Sequence, residues 1–442
     1  MITYALAAKL FESFSILRWN DRLRPVELIE IDHHALKSML TYFLGKTAEH
    51  LPQPKAKIDW RRVVDENIME LLSRISTSDI QSAVRERLKE EDAFINMIIS
   101  DWKKPSLKLN EKTLGLLESY LSGKRGDSVE DQIVRFSHKY ITKREFRVIS
   151  KFSLLDSDIK QIENGLNIDL QESIHASYEK EAKSLLDEKT SDWLPIIIDI
   201  AERLRYQTRW SQTPRIPQTS VLGHSMYCAT LAYFMSIEAK LSDERIVSNF
   251  YAALFHDLPE ALSRDIISPV KKADESIEKL IEKIEKELCE EEIFSRIPAD
   301  WRKHFRFVTG QMCPNDEHLQ DEQLVVRDKY WIGVQRNEFF ARREFSNRLL
   351  RNEDKYIIVP WGDDDGDPFE EPMEGYRQEK GIDGKLLKIC DNLAAFMEAR
   401  QSLQHGIRSP HLDNGISSTT IACRGKRIYN LQVDEFFESI TF

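Results

Sequence analysis

The sequence predicts an all-α protein of two helical domains. Apolar residues recur mainly at a 3.6-residue period and seldom alternate as they would along a half-buried strand. Hydrophobic residues make up 41% and charged residues 31%, the balance of a packed, helix-rich chain rather than a disordered one. At 442 residues the chain exceeds what one hydrophobic core usually supports.

The first element is an amphipathic helix over residues 1–17, where Lys9 and Glu12 interrupt an apolar run. Without a basic leader it does not read as a secretory signal. Residues 219–237 lie in the longest stretch without Asp, Glu, Lys or Arg. Its length approaches a membrane span, but glycine, histidine, cysteine and several hydroxyls make it too polar, so a buried helix is expected and no membrane association. A further helix should run from Pro269 to about Phe294, with Ser268 as N-cap and Pro269 at its first position. Its apolar stripe (Ile277, Leu280, Ile281, Ile284, Leu288) faces alternating Glu and Lys, the pattern of an ordinary helix with a solvated charged face.

Linkers are expected at residues 122–127, 186–192 and 361–384. The last contains Asp363-Asp364-Asp365-Gly366-Asp367, which matches a calcium loop only superficially. Trp361 stands where such a loop needs Asp, and Pro368 interrupts the rest. The expected domains are residues 1–185 and 190–442, the second carrying an insertion at about 310–383.

The formal net charge of −11 disfavours non-specific binding to nucleic-acid backbones. The five cysteines are scattered, odd in number and never in a C-x-x-C pair. That argues against a disulfide framework and a zinc ribbon and favours a reducing cytoplasm. Cys228 and Cys390, with apolar flanks, read as small core residues.

The chemistry concentrates in His256-Asp257-Leu258-Pro259-Glu260-Ala261-Leu262-Ser263-Arg264-Asp265, continuing to Pro269-Val270-Lys271. Upstream, His224 supplies a second imidazole, and downstream Asp391 supplies a further carboxylate. Two neutral imidazoles and two carboxylates suit one divalent transition metal (Mn, Co, Ni, Fe or Zn) better than calcium or magnesium. The expected ligands are therefore His224, His256, Asp257 and Asp391. Glu260 follows His256 by four residues and Asp257 by three, so a helical backbone puts it on their face, one turn along. Arg209 offers a planar donor fork suited to phosphate, Trp210 a flat wall for a sugar or base, and Lys271 a further positive charge.

The order His, His-Asp and a distant Asp resembles the HD-domain metal-dependent phosphohydrolases. The longer run H-D-x-x-E-x-L-x-x-D-x-x-x-P-V-K resembles the branch containing the bacterial 5′-deoxynucleotidase. Arg209-Trp210, Asp391-Asn392-Leu393, Glu398-Ala399 and His405-Gly406-Ile407 fit the same branch. The resemblance covers residues 190–300 and 383–410. It implies a catalytic acid/base role for Glu260, an active-site place for Asp265, and Arg209-Trp210 beside a nucleotide. It also implies a 5′-nucleotidase acting on (deoxy)nucleoside 5′-monophosphates as a small phosphorylated substrate. The rivals are a phosphodiesterase or nucleoside triphosphate hydrolase of the superfamily, and a nucleotide-sensing or scaffold protein with a vestigial site.

An internal duplication is also expected. Trp19 precedes His33 by the same fourteen residues that separate Trp210 from His224. With one residue of slippage, Glu66-Asn67 lies over His256-Asp257. The first domain would then be a degenerate, non-catalytic HD-like domain, and the chain a pseudo-dimeric monomer or a homodimer. His33, His34 and His405 read as structural, and no first-half counterpart of Asp391 can be placed.

Overall fold

The computed structural model describes residues 1–50, 55–78, 80–123, 126–153, 157–187, 189–264, 275–309, 357–359 and 381–440. The architecture is all-α, as expected. The chain divides into two compact units, Ala8–Glu202 and a second made of Met1–Ala7 with Arg203–Phe442.

The first unit contains α1 (Tyr4–Phe11, whose first turn belongs to the second unit), α2 (Glu30–His50), α3 (Trp60–Thr77), α4 (Ser82–Leu88) and α5 (Asp92–Trp102). It continues with α6 (Glu111–Ser122), α7 (Val129–Ser150), α8 (Ile159–Glu172), α9 (Glu179–Leu186) and α10 (Trp193–Glu202). The division falls after α10, not in the expected linker at 186–192. Trp193 packs edge-on against Phe43 at 6.0 Å, and Arg144 pairs with Asp199 and Glu202, so α10 is held by α2 and α7.

The second unit contains α11 (Val221–Glu238), α12 (Asp243–Phe255), the short α13 (Glu260–Ser263), α14 (Glu275–Cys289) and α15 (Ala299–Val308). Two three-residue strands, β1 (Ile357–Val359) and β2 (Gly381–Asp383), pair in parallel with Ile358 opposite Ile382. Then follow α16 (Gly384–Gln404), α17 (Pro410–Cys423), the antiparallel pair β3 (Arg427–Ile428) and β4 (Leu431–Gln432), and α18 (Asp434–Glu438). The linker expected to reach residue 384 thus overlaps β2 and the start of α16. Most of that linker, the insertion at 310–383 save its short strands, and Ser268 and Pro269 lie outside the described residues. On α14 the expected apolar stripe is only partly covered, since Leu280 is 55% and Ile284 44% exposed.

The expected buried helix at 219–237 is α11. Ser220 caps it by accepting from the Gly223 N–H at 2.8 Å. Residues Val221 to Ser236 are all buried, so the helix forms the spine of the unit's core. A buried polar knot fixes α16 against α12. Arg245 donates to Asp383 at 3.1 Å, Asn249 exchanges hydrogen bonds with Asp383 at 3.0 and 2.8 Å, and the Tyr429 hydroxyl donates to it at 2.6 Å. No described helix is long and apolar enough to cross a membrane.

Each unit contains the same local arrangement. Leu17 bridges Ile29 and Thr208 bridges Ser220, both antiparallel. Trp19 and Trp210 both adopt φ +56°. Arg18 and Trp19 converge on Glu145 at 2.8 and 3.3 Å, as Arg209 and Trp210 converge on Glu398 at 3.2 and 2.8 Å. His33 Nδ1 lies 3.3 Å from Glu145 and His224 Nδ1 3.1 Å from Glu398. His33 Nε2 faces His138 at 3.2 Å where His224 Nε2 faces Asp391 at 3.2 Å. His138 is therefore the counterpart of Asp391 that the sequence alone does not place.

Aligning the two units on the helix caps that follow α2 and α11 gives a second register beside the one read from sequence. Asp59 accepts from Arg62 N–H and Ser242 from Arg245 N–H, both at the third helical position. Counting fourteen residues from each cap puts Ser73 and Arg74 opposite His256 and Asp257, where the sequence reading puts Glu66 and Asn67. In this second register the slippage exceeds one residue because the connection from α2 to α3 is longer than that from α11 to α12.

Candidate metal centre

Three segments of the second unit bring the candidate ligands together. His224 sits one turn into α11 and is fully buried. His256 and Asp257 follow directly on α12, where Pro259 lacks an N–H to continue the helix and the chain turns into α13. Asp391 lies two turns into α16.

The donors are close. His224 Nε2 is 3.2 Å from Asp391 Oδ1 and 3.9 Å from Asp257 Oδ2, and His256 Nε2 is 3.1 Å from Asp257 Oδ1. The two imidazole rings are 5.6 Å apart. Each ring's other nitrogen is engaged, His224 Nδ1 by Glu398 and His256 Nδ1 by the Ala253 carbonyl at 2.7 Å. Such contacts orient the rings and leave Nε2 as the donor on both. Asp257 Oδ2 is buried and accepts no hydrogen bond among the described residues. A buried carboxylate oxygen left so, beside two imidazoles and a second carboxylate, fits a divalent cation.

One donor each from His224, Cys228, His256 and Asp391 lies within 4.8 Å of all the others. Sequence reasoning treats Cys228 as core packing. The available signal was its position four residues after His224, on the same face of α11.

Two further residues shape the site and were not singled out for it. Lys388 Nζ donates to Asp391 Oδ2 at 2.7 Å, and the carboxylate beside it raises the lysine's pKa. Burial alone would raise the Asp391 carboxyl, but Lys388 and His224 outweigh it and hold it well below the usual carboxylate range. Glu398, fully buried, accepts from Arg209, Trp210 and Thr219. Arg209 outweighs the burial cost, with His224, and keeps Glu398 ionised to far below neutral pH.

Arg209 bridges Glu398 and the metal-facing side, its Nη1 lying 3.7 Å from Asp257 Oδ2. Trp210 is half-buried. Its indole N–H is taken by Glu398, the Arg215 guanidinium lies 5.7 Å from its ring centre, and its ring edge meets Gly415 on α17. These contacts make Trp210 a support for Glu398. Trp19 makes the same bond to Glu145 in the first unit. Glu260 begins α13, and its backbone carbonyl accepts from Gln207 at 3.0 Å, which anchors the turn beside Asp257. Asp265 and Lys271 lie outside the described residues.

Comparison with known proteins agrees with this arrangement. The family model described as "HD domain" matches residues 201–420. The 5′-deoxynucleotidase of Photorhabdus temperata is 24% identical over 131 residues, covering 28% of this chain and 62% of that protein. The 5′-deoxynucleotidase of Pectobacterium atrosepticum is 25% identical over 130 residues, covering 28% of this chain and 61% of that protein. That of Yersinia pestis (strain Pestoides F) is 27% identical over 127 residues, covering 27% and 59%. The chain thus spans about three fifths of the length of the curated relatives it matches. No solved structure matches it significantly. On the family match, and with His, His-Asp and Asp brought together in the order that defines the group, the chain belongs to the HD-domain superfamily and resembles its 5′-deoxynucleotidase branch.

Proposed function

We propose that the second unit is a metal-dependent phosphohydrolase that releases phosphate from (deoxy)nucleoside 5′-monophosphates. The observation that carries this reading is the convergence of His224, His256, Asp257 and Asp391 around a buried carboxylate oxygen that accepts no hydrogen bond among the described residues. The named relatives are 5′-deoxynucleotidases, which supports the choice of a nucleoside monophosphate.

His224, His256, Asp257 and Asp391 would hold one divalent ion. Such an ion polarises a phosphoryl oxygen and lowers the pKa of a bound water, so that hydroxide is available near neutral pH. The protein's own groups do the rest. Glu398 and the Ala253 carbonyl hold both imidazoles by Nδ1, with Nε2 turned toward Asp391 and Asp257, where it would ligate the ion. Lys388 orients Asp391. Glu260, one turn beyond the His-Asp pair, accepts or returns a proton at its carboxylate, and Arg209 fixes Asp257 at the edge of the site. Asp265 and Lys271 are proposed for the sugar and phosphate ends of the substrate. The first unit, with Ser73 and Arg74 at the His256 and Asp257 positions, is proposed to be catalytically silent.

The test is product analysis on the full chain, stripped of metal and reloaded separately with Mn, Co or Zn. Inorganic phosphate should be released from nucleoside 5′-monophosphates, and Glu260→Ala and His256→Ala should each abolish it. Release that survives His256→Ala combined with Asp257→Ala would overturn the proposal. Pyrophosphate or triphosphate released from nucleoside triphosphates, with monophosphates untouched, would replace it with a triphosphate hydrolase.

A further inference from the structure

We infer that Cys228 is a further ligand of this metal centre, so that a thiolate joins His224, His256, Asp257 and Asp391 around the ion. The inference rests on the reading that the cluster holds a divalent metal. Its starting point is spacing. Cys228 follows His224 by four residues on α11, which puts both side chains on one helix face a turn apart. Two ligands from one helix at this spacing is how a helical H-x-x-x-H pair grips zinc.

The geometry agrees. Cys228 Sγ is 3.3 Å from His224 Nε2, and it belongs to the set of four donors that lie within 4.8 Å of one another. Asp257 is not in that set. Its oxygens approach the two histidines at 3.1 and 3.9 Å from the Arg209 side, with 3.7 Å to that guanidinium, so it faces the ion from another direction than the thiol. The thiol is 1% exposed and forms no disulfide, so it is available to the cluster and shielded from bulk solvent. The nearby Cys390 points elsewhere, its Sγ contacting Met235 Sδ at 3.6 Å.

The first unit supplies an independent observation. There the residue four after the histidine is Lys37, and its ammonium reaches Glu70 at 2.5 Å, which in turn lies 3.2 Å from His138. In both units, therefore, this helix position directs its functional atom into the cluster between the histidine and the late helix. In the first it delivers a cation. In the second it delivers a donor for one.

A thiolate changes which ion the site prefers. Sulfur is a soft ligand, and with two imidazoles it favours Zn, Co or Fe(II) over Mn or Mg. On binding, the S–H bond breaks, a metal–sulfur bond forms and the proton passes to solvent; nothing is oxidised or reduced.

The experiment is cobalt titration of the metal-free full chain, followed by absorption and by equilibrium dialysis. The expected result is one Co(II) per site, with visible ligand-field bands and a near-ultraviolet sulfur-to-cobalt charge-transfer band. Cys228→Ser should lose the charge-transfer band and keep the visible ones, and its preference for Zn over Mn should shrink. Bound cobalt without a charge-transfer band in the unaltered chain would overturn the thiolate ligand and leave the metal centre standing. A charge-transfer band retained in Cys228→Ser would overturn it too. Failure to bind cobalt at all would overturn both the inference and the reading beneath it. Because the unaltered chain carries the main readout, the test holds even where the variant folds poorly.

Discussion

Glu398 Oε1 stands 3.1 Å from His224 Nδ1, and it does so from α16, the same helix that carries Asp391 seven residues earlier. One helix therefore supplies both a candidate ligand and the group that turns the first histidine toward it. The same carboxylate holds Arg209, Trp210 and Thr219, so the orientation of His224 depends on a buried network rather than on one bond.

Replacing Glu398 with Gln should weaken metal binding by about 10- to 100-fold, the usual cost of losing a partner behind a ligating histidine. Competition against a chromophoric chelator would measure it. An unchanged affinity would mean that the carboxylate only braces Arg209.

The first unit carries its own positive charge where the second would bind one. Lys37 and Glu70 are both essentially inaccessible to solvent. Replacing Lys37 with Met leaves Glu70 buried without that ammonium and should cost about 3–5 kcal/mol, whereas the double replacement Lys37→Met with Glu70→Leu should recover most of it. Urea unfolding of the full chain gives both numbers. The same geometry predicts a single metal ion per chain, lost with His256→Ala and unaffected by His33→Ala. A second ion lost with His33→Ala would show that the first unit binds metal after all.

His33 sets a pH limit on that unit. Burial and then Arg18 lower its pKa from 6.5 to about 4, against the pull of Glu145. The ring is neutral in the fold and takes up a proton first in the unfolded chain. Stability is therefore full above about pH 6.5 and falls as pH drops toward 4, by on the order of 3 kcal/mol from this group. Hydrogen exchange of the α2 amides at pH 7.5 and pH 5 should show faster opening at the lower pH. His33→Asn should flatten that difference; an equal pH response in the variant would assign it to other groups.

What sequence could and could not reveal follows from range. Helix class, the buried α11 and the His-Asp motif depend on local spacing and capping, and all were legible. The pairing of Trp19 with Trp210 and of His33 with His224 was legible for the same reason, since equal spacing precedes each. The register beyond them admits two alignments, because the longer connection to α3 carries no motif with which to count. Glu398, Lys388 and Cys228 were hidden differently. Each acquires its role from a partner on another segment or from the exact direction of a helix face, and a lone Cys in an apolar run looks like packing.

Gly415 and Gly165 give two opposite expectations for one substitution. Both sit inside helices, α17 and α8, where Ala is intrinsically better than Gly by about 1 kcal/mol. At Gly165 a new Cβ meets nothing within 4 Å, so Gly165→Ala should stabilise by about 0.5–1 kcal/mol. At Gly415 a Cβ would fall 2.2 Å from Cη2 of Trp210, deep inside contact distance. The indole must then swing away, and its bond to Glu398 goes with it. Gly415→Ala should therefore destabilise by about 1–3 kcal/mol despite the helical gain. It should also loosen metal binding in the direction of Glu398→Gln, although residue 415 touches no ligand. Thermal denaturation and chelator competition on the two variants decide this. A stabilised Gly415→Ala with unchanged metal affinity would mean that Trp210 can leave Glu398 without disturbing His224, and that the carboxylate is held by Arg209 and Thr219 alone.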